Sequence, residues 1–109
     1  MSRPRFVNDI HVAEHHAELR VPWPGALDRH ITYVFDVADL ERVQQHHWYP
    51  GRHARLCTHV GVPRTTLYLS RHIVGADRTQ RVRHINGDCM DLRRKNLCVE
   101  TIDSRVQGT

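Results

Sequence analysis

The sequence predicts an α+β fold of small antiparallel strands and short helices, closing on a strand–loop–strand–helix unit. Three observations carry that expectation. Short β-branched or aromatic runs, such as Ile31 to Phe35 and Thr65 to Leu69, are separated by glycine and proline turns. Leu40, Val43 and His47 share one face at helical spacing, behind the helix-starting acids Asp36 to Asp39. Near the C-terminus an alternating run breaks at Asn86-Gly87, and an apolar run returns at Asn96. A chain of 109 residues, 39% hydrophobic, suits one domain with a modest core.

In chain order, Met1 to His16 shows little organisation. Arg3, Pro4 and Arg5 read as a frayed terminus, with a basic arm as the alternative. Val12 to Leu19 is expected as a short helix with Glu14 and Glu18 on its exposed side. His11 and His15 then stand at a metal-compatible i, i+4 spacing. No third ligand follows at matching spacing, so solvent-exposed histidines are the better reading. Val21-Pro22-Trp23-Pro24-Gly25 is expected as a turn, with Trp23 packed over the edge of the core.

Ile31 to Phe35 should be a strand, and a helix is expected over Asp39 to His47. It stops at Trp48-Tyr49-Pro50-Gly51, with Trp48 in the core and His46 exposed. Arg52 to Val60 should pair with Thr65 to Leu69 across a turn at Gly61 to Arg64. Ser70 to Val74 is then a short helix or turn that lays Ile73 against the final unit.

That unit, Arg81 to Thr101, holds the most specific signal in the chain. Val82-Arg83-His84-Ile85 alternates as a strand, with Val82 and His84 on one face. Asn86-Gly87 turns it, and Asp88 to Lys95 is a polar loop in which Asp88 and Asp91 accept backbone N–H groups. Asn96-Leu97-Cys98-Val99 returns as a second strand. Thr101 can cap a following helix with Asp103 in its first turn.

The run His84-Ile85-Asn86-Gly87-Asp88, with Asp91, Arg93-Arg94 and Asn96-Leu97, resembles the phage-type HNH endonuclease family. Upstream, Leu67 to Gly75 and the stretch from Tyr33-Val34-Phe35-Asp36 to Trp48-Tyr49 are similar to segments that lead into that motif. The resemblance spans roughly residues 30 to 105. It implies a ββα-metal finger at the C-terminus and divides the chain into an N-terminal arm and turn region, 1–29, and an HNH-like domain, 30–109.

The resemblance also implies roles. His84 matches the general base and Asn96 the residue that braces the loop behind it. The two metal-ligand positions fall on Arg83 and Arg105. A guanidinium has no free lone pair and stays protonated near neutral pH, so neither can hold a cation. Aimed at the same place, the pair would instead offer positive charge to a phosphate. The expectation is therefore no metal and no other cofactor, with Mg²⁺ or Zn²⁺ needed only if cleavage survives. Arg93, Arg94 and Lys95, in the loop, are further candidates for phosphate contact.

Charge is unevenly spread. Residues 1–51 hold 5 Arg against 7 acidic residues, whereas 52–109 hold 11 Lys+Arg against 5. On charge alone, a nucleic-acid surface and a solvated arginine-rich face stand level; the resemblance favours DNA. No apolar run reaches membrane-spanning length, Met1 to Asn8 lacks the apolar region of a signal peptide, and Cys57, Cys89 and Cys98 form no CxxC pair. A cytoplasmic protein without membrane partners is the expectation, in the host cell if phage-encoded. A zinc site from the three cysteines and a histidine is a weaker alternative to buried thiols. Three functions stay open: DNA binding by a degenerate finger (a pseudo-nuclease, with cleavage impaired or lost), an active HNH nicking endonuclease, and a module that binds a host protein.

Overall fold

Alternation, rather than helical spacing, governs the first third of the chain. The computed structural model describes residues 8–23 and 25–101. In it, β1 (Asp9–Val12), β2 (Ala17–Trp23) and β3 (Ala26–Phe35) form one antiparallel sheet in the order β1-β2-β3. The helix expected over Val12 to Leu19 is thus a turn and a strand. The physical reason is a period of two. Ala17, Leu19 and Val21 are buried at alternate positions and pair directly with Phe35, Tyr33 and Ile31. Glu14 and His15 occupy the turn, closed by the Ala13 N–H donating to the His16 carbonyl at 2.8 Å.

The turn expected at Val21 to Gly25 is also shorter than its prolines suggested, because β2 continues to Trp23. Among the described residues β1 pairs with β2 only as far as Arg20, so the described neighbour of Pro22 lies on the β3 side. A missing N–H is tolerated there, and the register shifts between Pro22 and Trp23. Trp23 is 44% exposed rather than packed over the core. β3 runs straight across residues 29 and 30, so one sheet spans the expected boundary between the N-terminal region and the rest of the chain.

The helix expected over Asp39 to His47 is a 3-10 turn, Val37–Asp39, followed by one α-helical turn, α1 (Leu40–Val43). Trp48 stops it. Its indole Nε1 donates to the Val43 carbonyl at 2.7 Å, the acceptor that another helical turn would need. Trp48 is fully buried, as expected, and Asn8 clamps its backbone with two 2.7 Å hydrogen bonds. His46 is half-buried rather than exposed, edge-on to the Trp48 and His72 rings.

β4 (Tyr49–Pro50), β5 (Leu56–Val60) and β6 (Thr65–Tyr68) make the second sheet, including the expected hairpin. α2 (Leu69–Val74) comes directly after β6 and ends at Gly75, whose φ of 70° supplies the left-handed residue that helix ends favour. Ile73 is buried, and α2 lies against the last sheet, β7 (Gln80–His84) with β8 (Leu97–Thr101). The protein is therefore a small α+β fold with three small antiparallel sheets and short helices.

The loop between β7 and β8 is stitched to the first sheet. The Val34 N–H donates to the Met90 carbonyl at 2.9 Å, and the Leu92 N–H donates to the Val34 carbonyl at 2.7 Å. Leu92 and Leu97 thereby join Tyr33, Phe35, Trp48, Leu69 and Ile73 in one core. No helix among the described residues is long and apolar enough to cross a membrane. The helix expected after Thr101, Arg105 within it, and the Arg3–Arg5 arm lie outside the described residues.

Candidate nucleic-acid interface along β7

β7 alternates as its sequence predicts: Val82 and His84 are half-buried, Arg81 and Arg83 exposed. In a two-stranded sheet it has β8 on one side only. The Ile85 N–H donates to the Asn96 carbonyl at 2.8 Å, so odd-numbered residues here turn their peptide groups toward β8. Even-numbered ones face the open edge, where the Gln80 carbonyl accepts Arg71 Nη1 at 2.8 Å.

The turn behind His84 is heavily determined. Gly87 takes a φ of 78°, which the Asn-Gly pair permits, and its N–H donates to the His84 carbonyl at 3.0 Å. Asn96, buried, accepts the Asn86 N–H on Oδ1 at 2.9 Å and donates from Nδ2 to the Asp91 carbonyl at 3.0 Å. One side chain thus ties both ends of the loop together. Asp88 and Asp91 accept the N–H groups of Met90 and Arg93 at 2.9 and 3.2 Å.

His84 sits where this bracing ends. Its Nε2 is buried with no hydrogen-bond partner among the described residues. Any ligand must therefore meet the ring through Nδ1 or its carbons. Burial, and secondly the nearby Arg55 charge, hold the imidazole below its ordinary value of 6.5, with Asp88 and Asp91 pulling weakly the other way. The ring is neutral at neutral pH.

Arg83 lies on the opposite face of β7, with Nη2 3.1 Å from Glu100 Oε2; Arg81 Nε is 3.7 Å from the other oxygen of that carboxylate. Donor chemistry argues against a metal at this position, since a guanidinium presents only N–H groups. Among the described residues no three His, Cys, Asp or Glu side chains come together to hold an ion, the three cysteines included.

The loop arginines are differently placed. Arg93 forms a fork on Asp91, with Nε–Oδ1 at 2.8 Å and Nη2–Oδ2 at 2.7 Å, and this holds the Asp91 carboxyl below its usual range. Arg94 reaches Asp39, which is 1% exposed, through Nε and Nη2, and donates also to the Ile73 carbonyl at 2.8 Å. Its own N–H donates to Asp36 Oδ2 at 2.9 Å. The two acids read from sequence as helix-starting groups make no capping bond with their side chains and instead anchor the loop. Lys95 is exposed beside them.

A groove of about 650 Å³ runs along the open edge of β7 past His84. Arg55, Arg71, Arg78, Arg81 and Arg83 line it, and among the described residues no carboxylate does. Of these, sequence reasoning singled out only Arg83. The arginine excess after residue 51 was the visible signal, but nothing in the order of residues says which of them meet. No protein-family model, no curated protein and no solved structure matches this chain.

Proposed function

We propose that this protein binds DNA, using the β7–loop–β8 hairpin as a degenerate HNH finger whose metal-dependent phosphodiester cleavage is lost or severely weakened. The observation that carries this is the groove: five guanidinium groups beside a braced histidine, with no carboxylate in the lining among the described residues. Such a lining attracts phosphate oxygens and repels a divalent cation. Arg83 reaches Glu100 only through an exposed ion pair, worth at most about 1 kcal/mol, so phosphate can displace it. Arg93 and Arg94 can join only by releasing Asp91 and Asp39, which leaves Lys95 as the loop cation without an acidic partner among the described residues.

The test is a fluorescence-polarisation titration of a short labelled duplex at low salt, paired with a plasmid-nicking assay in Mg²⁺ or Mn²⁺. Salt-sensitive binding without nicking is the expected result. Metal-dependent nicking that disappears in His84→Gln means a working endonuclease instead. Failure to bind duplex at low salt removes the proposal, and retention of a single host protein would then favour an interaction module. The double substitution Arg83→Asp with Arg105→Asn asks whether an ion-binding finger can be restored.

A further inference from the structure

The segment leading into β5 delivers an arginine to the groove from outside the hairpin. Arg55 stacks its guanidinium carbon 4.3 Å from the centroid of the Tyr68 ring. A cation over a ring face keeps its full charge, because the ring offers no opposing carboxylate. No ion pair joins Arg55 to any acid among the described residues.

The backbone before it is strained. His53 and Ala54 both adopt left-handed φ values, 57° and 61°, although neither is glycine. Such conformations persist only when their surroundings impose them. Here the Tyr33 hydroxyl donates to the Ala54 carbonyl, the Gly51 N–H donates to the Arg55 carbonyl at 2.8 Å, and Cys89 Sγ lies 3.6 Å from the His53 carbonyl. Gly51 has to be glycine, since a Cβ there would meet Cys57 Sγ at 2.7 Å. The result is a fixed arginine, aimed into the groove that His84 lines.

We propose that Arg55 takes the DNA phosphate beside His84, so that a guanidinium from the β4–β5 segment stands in for a divalent cation and the backbone is gripped without any ion. This rests on the DNA-binding reading and names the contact within it. Arg71 and Arg78 extend the same track. Arg71 bonds the Gln80 and Asp77 carbonyls, which are neutral acceptors, so its charge is not cancelled by an ion pair. Apart from His84 no aromatic ring lines the groove, and the Tyr68 face is covered by Arg55. Bases therefore find no stacking platform, and the site reads phosphate rather than sequence.

The experiment titrates a fluorescein-labelled duplex into the full chain in EDTA at a series of salt concentrations. Arg55→Ala should weaken binding by about tenfold and lower the salt slope by about one, as loss of one charge-assisted phosphate contact predicts. Arg55→Lys should restore part of the affinity, because charge returns without the planar fork. Arg78→Ala, an exposed site, should weaken binding severalfold without touching the Tyr68 stack, and a thermal melt of each variant checks folding. Arg64→Ala, in the β5–β6 turn outside the groove, should bind like wild type. Wild-type binding with an unchanged Arg55→Ala or Arg78→Ala slope overturns the inference and leaves DNA binding standing, as does wild-type binding that requires Mg²⁺. No wild-type binding at low salt removes both.

Discussion

Arg94 and Arg55 differ in what surrounds them, and the difference separates a charge tied to carboxylates from one left on an aromatic face. Arg94 and its neighbour Arg93 face carboxylates. Asp39 is buried and receives Arg94 from one side and Arg42, at 3.3 Å, from the other. Arg55, Arg78 and Arg83 border a groove with no acid in its lining among the described residues. A guanidinium that neutralises a buried carboxylate cannot leave without exposing that charge to a low-dielectric interior, whereas one on an aromatic face or in an exposed pair is exchangeable. Two arginine sets that look alike in composition therefore differ in how freely their charge can be offered to a ligand.

The sharpest way to break this comparison is Arg94→Ala. It should cost about 2 to 3 kcal/mol in urea denaturation, below most fully buried pairs because Arg94 is itself half-exposed and Arg42 still reaches Asp39. Weakened DNA binding at unchanged stability would instead give Arg94 the phosphate contact that the sequence suggests. Next, Asn96→Ala should cost about 2 kcal/mol, since it strands the Asn86 N–H and the Asp91 carbonyl at the loop's two ends. Hydrogen exchange at Asn86 should rise with it.

Glu100→Gln should act in the other direction. It frees Arg81 and Arg83 from an exposed carboxylate, so duplex affinity should rise about twofold while stability changes by less than about 0.5 kcal/mol. The smallest effect concerns pH. His84 and His72 are both held below their ordinary 6.5, first by burial, then by Arg55 and by His46 respectively. The unfolded chain then binds more protons than the native one, so their contribution is whole above pH 6.5 and is lost as pH falls through the lower folded values. Urea midpoints should drop between about pH 7 and pH 5, and the drop should shrink in His72→Gln with His84→Gln. Asp91, also shifted down, acts only below the carboxylate range and does not confuse that window.

Legibility from the sequence tracks the range of the forces involved. The β5–β6 hairpin, α2 and the Asn86-Gly87 turn rest on neighbours within a few residues and the burial of Trp48 on its own apolar bulk, and all were legible. The Val12 to Leu19 helix failed because three apolar residues at alternate positions needed β3, more than ten residues on, to show which period governed. Glu14, Glu18 and the flanking histidines offered a plausible helical face to any local inspection.

The site divides in the same way. By itself the order of residues determined the Asn86-Gly87 turn that follows His84 and the strand that returns after Asn96. Only the tertiary structure decided which charges are available. It brought Asp36 and Asp39 across more than fifty residues to hold Arg94, and it carried Arg55 onto Tyr68 at the edge of the groove. Charge pairing acts through space at a few ångströms and is indifferent to chain separation, so composition can count arginines but only packing can assign them.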